Sequence, residues 1–190
     1  LFICLLSALP ALAEGIAAAD VPASKRTSLG KYLDAKQAYA TVVANKPNVL
    51  FLDVRTLAEL TYVGSTNEID FQIPFAEVAE PRVWDFKGNR LKIVPNDAFV
   101  ADVESALTRK NLTKDSKVVI ICRSGERSAR AVEMLAKAGF SDAWSVVDGF
   151  EGDLSKDGFR SVNGWKNAGL PWSYKLDKSK LSTLSAPGTP

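Results

Sequence analysis

Two stretches of the chain are apolar almost throughout, Val49–Val54 (VLFLDV) and Lys117–Cys122 (KVVIIC). Each is too short for a helix and fits a strand buried on both faces. Around them the pattern changes period. A helix is expected from about Asp34 to Ala44, with Asp34 as N-cap and Pro47 as its stop. TLAELTYV forms one short helix before Gly64, and Ile69–Pro74 (IDFQIP) alternates apolar and polar residues like a strand. Phe99, Val100, Val103 and Leu107 share one side of a helix over about Asp97–Leu107. Another helix is expected from about Ser128 to Ala138, with Val132, Leu135 and Ala136 inward and Gly139 just past its end. Ala143–Val147 (AWSVV) reads as a further short strand, followed by a loop at Gly149 and Gly152, and a last helical turn is expected near Trp165. The segment Phe75–Pro95 reads either as a hairpin turning at Gly88-Asn89 or as a long loop.

Strands that alternate with helices, the clearest of them apolar throughout, predict an α/β fold with an open, mainly parallel sheet and helices on both faces. The boundaries expected are a main domain over residues 28–173, a small polar linker over 14–27, and a flexible polar tail over 174–190. Residues 1–13 (LFICLLSALPALA) carry no charge, are too short to span a bilayer, and end in the small-x-small pattern Ala11-Leu12-Ala13. They are read as the remnant of a secretory signal cleaved before Glu14. The expected location is then periplasmic or secreted, with no membrane span in the mature chain.

Composition narrows the chemistry. The net charge of +2 comes from interspersed lysines, arginines and acids, which argues against a nucleic-acid partner. The chain has no histidine, which removes Ser-His-Asp and Cys-His mechanisms in their usual forms. Of two cysteines, Cys4 lies in the signal-like stretch, so the mature chain keeps Cys122 as a lone thiol with no internal disulfide. A metal site would lack both His and enough Cys, and no cofactor is expected.

In parallel sheets ligands sit at the carboxyl ends of strands. Cys122 is at one such end, and Asp53 and Arg55 are at another. Cys122-Arg123-Ser124-Gly125-Glu126-Arg127 joins the strand to the helix beginning near Ser128. If the turn curls tightly, its N–H groups point at the sulfur and add to the positive end of the helix. Arg123 and Arg127 add full charges, and Gly125 permits the turn. This combination favours thiolate over thiol and would also bind a small oxyanion. A small buried apolar cysteine at a strand end is the plain alternative.

The stretch VVIICRSGERSARAVEMLAKAGF resembles the active-site segment of rhodanese-type sulfurtransferases. LFLDVRTLAELTYVG resembles the family's Asp-Val-Arg segment, with Glu59 and Gly64 in place. SVVDGFEG and GWKNAGLPW resemble its closing segments, so the likeness runs from about Leu33 to Trp172. The resemblance implies that Cys122 takes sulfur from a small anionic donor such as thiosulfate, forms a persulfide, and passes the sulfur to a thiol or cyanide acceptor. An exported protein could also be the acceptor. The loop N–H groups from Arg123 to Ser128 would stabilise the persulfide, and Arg123 and Arg127 would recruit anions. Asp53 and Arg55 are expected to shape the sheet end or pair with neighbouring loop charges. Glu59 is either solvated or a partner of Arg55. The chain departs from the family where Ser65-Thr66-Asn67 follows Gly64 instead of a Gly-His-Ile run, and in two insertions, 75–95 and 153–163.

Two other functions stay open. One is a non-catalytic or carrier module that binds or relays a persulfide for an exported partner. The other is a cysteine-based phosphatase or arsenate reductase, which commonly needs Cys-x5-Arg. Here four residues separate Cys122 from Arg127, a loop better sized for sulfur than for phosphate.

Overall fold

The computed structural model describes residues 15–181. In chain order its elements are β1 (Tyr32–Leu33), α1 (Ala35–Ala44), β2 (Val49–Asp53), α2 (Leu57–Val63) and β3 (Phe71–Gln72). Four short strands follow, β4 (Ala76–Val78), β5 (Trp84–Asp85), β6 (Arg90–Leu91) and β7 (Ile93–Pro95). The chain continues through α3 (Phe99–Arg109), β8 (Lys117–Ile121), α4 (Glu126–Lys137) and β9 (Ala143–Val146).

The two apolar stretches pair at the centre of the sheet, in parallel, from Val49 opposite Lys117 to Asp53 opposite Ile121. The full order is β1-β9-β8-β2-β3, with every neighbouring pair parallel. Because side chains alternate along a strand, β2 and β8 feed two cores. Leu50, Leu52, Val118 and Ile120 pack with Phe99, Val103 and Leu107 of α3 and Val132 and Leu135 of α4. Val49, Phe51, Val119 and Ile121 pack with Ala38 and Val42 of α1, Leu60 of α2, and with Phe150 and Trp165. The expected open parallel sheet covered on both faces is therefore what forms.

Local chemistry sets the helix starts. Asp34 caps α1 as expected: its carboxylate accepts from Gln37 N at 2.7 Å, while the Gln37 side chain accepts from Asp34 N at 2.9 Å. Thr56 and Glu59 make the same reciprocal box on α2, at 3.2 and 3.0 Å. At the other end of α4, Gly139 takes a left-handed φ of 89°. The chain then turns back so that Phe140 N bonds Leu135 O at 3.0 Å.

Several expectations change. β1 was not anticipated, because a two-residue strand carries no periodicity. The strand expected over Ile69–Pro74 keeps only Phe71–Gln72 in the ladder. The 75–95 segment resolves as hairpin, not loop: β4 pairs antiparallel with β7, and β5 with β6 around a turn where Asn89 has φ 49°. One turn does form near Trp165, closed by Ala168 N on Gly164 O at 2.9 Å.

The segment read as a linker is packed instead. It makes two 3-10 turns, buries Val21 and Lys25, and sets Ile16 N on Tyr32 O at 2.9 Å. The start of the tail is ordered too. Leu181 bridges to Gln72 beside β3, and Lys180 Nζ donates to Asn67 O at 2.6 Å. Polar composition concealed both because a few apolar anchors, Val21, Leu176 and Leu181, do the packing. The signal-like stretch, with Cys4, and residues 182–190 lie outside the described residues. Among the described residues no helix is long and apolar enough to cross a membrane.

Trp165 closes one core from outside any regular element. It is fully buried, its ring lies 5.6 Å from Phe51 and 5.7 Å from Tyr39, and its Nε1 donates to Pro171 O at 2.9 Å. Trp165→Ala is expected to lower folding stability by about 3–5 kcal/mol, read as a shift of the urea midpoint.

Candidate active site

Cys122 leaves β8 at the carboxyl edge of the sheet and is 1% exposed. The loop after it is tighter than the sequence suggested. Gly125 adopts φ 96° and α4 begins at Glu126, two residues earlier than expected. This left-handed residue turns its own N–H onto Cys122 Sγ at 3.1 Å. A Cβ there would fall 2.1 Å from Val147 O, so glycine is required by space as well as by φ.

Ser128 lies one turn into α4, with its Oγ 3.6 Å from the thiol that donates to it. The Ser128 hydroxyl donates to Gly125 O at 2.8 Å and accepts from Ser145 Oγ at 3.1 Å. Gly125 and Ser128, both predicted, thus touch the sulfur through hydrogen bonds. Ser124 completes the backbone turn, half-buried, while Glu126 is exposed on the first turn of α4.

The arginines do not both turn to the sulfur. Arg127 is locked to Glu59 by two hydrogen bonds, Nη1 to Oε2 at 2.7 Å and Nη2 to Oε1 at 2.5 Å. Arg123 is exposed, and none of the described residues bonds or pairs with its side chain. Burial alone would raise the Glu59 carboxyl, but the hydrogen bond and charge of Arg127 outweigh it. With help from the Thr56 N–H and the Arg55 charge they hold Glu59 at about 2. Arg127 is pushed up in turn: burial opposes its charge, Glu59 overcomes that, and the nearby Cys122 and Asp53 add to the effect. Glu59 is therefore neither solvated nor the partner of Arg55. The Thr56-x-x-Glu59 capping box was the available signal, since it folds Glu59 back toward the sheet edge where the cysteine loop emerges.

Asp53 and Arg55 pair with each other, not with loop charges. Both are fully buried. Arg55 Nε lies 3.0 Å from each Asp53 oxygen and Nη2 donates to Oδ2 at 2.6 Å and to Gly64 O at 3.0 Å. The guanidinium stacks on the Phe150 ring at 3.9 Å, and Phe150 N donates to Cys122 O at 2.8 Å. The pair thus supports the cysteine loop from below, through Phe150.

Three further contributors were not expected beside the cysteine. Gly149 comes so close that a Cβ would stand 2.6 Å from Cys122 O and Ser124 N. Lys25, from the supposed linker, donates to Val147 O at 2.9 Å and to Asp153 Oδ1 at 2.7 Å, tying the N-terminal segment to the second insertion. Asp148 accepts from Gly164 N at 3.0 Å, and burial pushes its carboxyl up to about 6. The Asp148-Gly149 pair was visible in the sequence, but nothing there set its distance from Cys122.

The model of the Rhodanese-like domain family matches residues 34–156. The chain belongs to the rhodanese-like domain family. The cysteine loop, the Asp53–Arg55 pair and nearly all of the parallel sheet lie within the matched segment. A crystal structure of Rv0390 from M. tuberculosis is similar to this rhodanese-like domain at 31% identity and a TM-score of 0.55, covering 76% of this chain and 98% of that one. An uncharacterized protein of Rickettsia conorii, RC0915, is 30% identical over 73% of this chain and 93% of its own length. The tRNA uridine(34) hydroxylase of Cronobacter sakazakii is 26% identical over the same share of this chain, which spans 32% of that longer protein.

Gly125→Ala is expected to break the cradle, because left-handed φ and the Val147 carbonyl both exclude a Cβ. Stability should fall by more than about 1 kcal/mol in urea titration. Asp148 gives a pH test. Its folded value of about 6 lies above the ordinary 3.8, so its contribution is complete below 3.8 and is lost as pH rises through 6. The loss is on the order of 3 kcal/mol, and Asp148→Asn should abolish that fall between pH 4 and pH 6. Glu59 works the other way. Its contribution is full above 4.5 and lost as pH drops toward 2.

Proposed function

We propose that this rhodanese-like domain transfers sulfane sulfur through a persulfide on Cys122. The observation that carries the reading is the cradle itself: a lone sulfur facing the Gly125 N–H at 3.1 Å, at the head of a twelve-residue helix. A sulfur anion placed there meets a directed N–H and the positive end of α4. With no histidine in the chain, activation falls to backbone and helix.

The thiolate of Cys122 attacks the outer sulfur of a donor such as thiosulfate. A new S–S bond forms as the donor's S–S bond breaks, and sulfite leaves with the electron pair. The terminal sulfur of the resulting persulfide is then attacked by cyanide or a thiol, returning the cysteine thiolate. Gly125 N–H holds the inner sulfur, Phe150 and Gly149 fix the loop, and exposed Arg123 is a cation placed to meet an incoming anion.

Phosphoryl or arsenate chemistry fits less well. Only three residues separate Cys122 from the start of α4, and the arginine that would clamp a tetrahedral oxyanion is engaged by Glu59.

Mass spectrometry after thiosulfate treatment is expected to show one added sulfur atom on Cys122, and cyanide should remove it as thiocyanate. Cys122→Ser should abolish both. An adduct that no acceptor removes would favour a carrier, and phosphate release from an aryl phosphate without any sulfur adduct would refute sulfur transfer.

A further inference from the structure

Lys25 lies before the segment, 34–156, that the family model matches, yet its side chain ends behind the cysteine loop. A lysine is rarely buried unless its charge is paired, and this one is 6% exposed. Its Nζ donates to Val147 O at 2.9 Å and to Asp153 Oδ1 at 2.7 Å. The stem of the same side chain is part of the wall against Gly125. A Cβ on that glycine would stand 3.0 Å from Lys25 Cδ and 2.1 Å from Val147 O.

Both partners of the ammonium are tied to the cysteine loop. Val147 has its N–H on Leu33 O at 2.9 Å, and Lys25 takes its carbonyl. That carbonyl is the one on which Gly125 rests, and Gly125 in turn directs its N–H onto Cys122 Sγ at 3.1 Å. Asp153 follows Glu151, whose N–H donates to Arg123 O at 2.9 Å. Asn163 holds Asp153 as well, accepting from Asp153 N at 2.8 Å and donating to its Oδ2 at 3.0 Å. One ammonium thus joins the two stretches that press on the loop, one at Gly125 and the other at Arg123. Removing it takes a charge-assisted bond from the Val147 carbonyl and unties the two stretches.

We infer that Lys25 is a positioning residue for the reaction at Cys122: it clamps Val147 against Gly125 and so keeps the Gly125 N–H on the sulfur. The consequence for sulfur transfer rests on the reading given above, whereas the consequence for the Gly125 N–H does not.

The test follows amide hydrogen exchange by NMR together with the rate of sulfur loading on Cys122 from thiosulfate, read by mass spectrometry. Lys25→Met keeps the apolar stem and removes the ammonium. In this variant the Gly125 amide should exchange about tenfold faster and loading should slow about tenfold, while the amides of the central strands β2 and β8 exchange as in the wild type. Asp153→Ala removes a partly exposed carboxylate outside both cores and should move both readouts in the same direction. Three results would overturn the inference: Gly125 exchange unchanged in both variants, Gly125 exchange faster only in step with β2 and β8, or a freed Gly125 amide with loading unaltered. No adduct in the wild type overturns the sulfur-transfer reading itself, and Gly125 exchange then still decides whether the clamp holds.

Discussion

The Cys122 carbonyl accepts the N–H of Phe150 at 2.8 Å, and that bond draws two loops of the sheet edge into direct backbone contact. Gly149 must lack a side chain for the approach, and Gly125 must lack one because the same loop passes at Val147. Once the loops are pressed together, the chain after Cys122 has room only for a sharp left-handed turn. That turn is what aims Gly125 N–H at the sulfur. The buried Arg55 guanidinium beneath Phe150 keeps the contact from opening downward.

Three ion pairs gather at this edge, and two of them join segments that would otherwise be separate. Asp53–Arg55 stays at the end of β2 and reaches Gly64, Glu59–Arg127 joins α2 to α4, and Lys25–Asp153 joins the N-terminal segment to an insertion. The first is fully buried. Losing one member would strand a charge in the core at a cost of about 3–5 kcal/mol, although the intact pair contributes little net stability. The other two are partly exposed, and their role is geometric: they decide which cations still face outward.

The parts legible in the sequence were those with a strong local signature. VLFLDV and KVVIIC could hardly be anything but central strands, and Asp34, Gly139 and the apolar faces of α3 and α4 marked the helices. Cys122, Gly125 and Ser128 were legible because a strand, a glycine turn and a helix start occur in unbroken succession. What escaped was set by contacts distant in sequence. Arg127 meets Glu59, 68 residues away, and no spacing rule distinguishes that partner from solvent. β1 has too few residues to show a period, and its hydrogen bonds are supplied by β9. The supposed linker and the start of the tail looked loose because their composition is polar. Three apolar side chains and a few backbone bonds suffice to hold them.

Those two bound segments have a consequence for the molecule's dealings with its own kind. A five-stranded open sheet exposes unpaired backbone along its outermost strands, a template on which another chain can dock and polymerise. Here Ile16 bonds to Tyr32 on β1, and Leu181 bridges to Gln72 on β3. Each margin of the sheet is thus met by another stretch of the same polypeptide, residues before β1 on one side and residues after β9 on the other. These stretches act as bumpers against aggregation, so shortening the chain at either place would endanger solubility before it touched the chemistry.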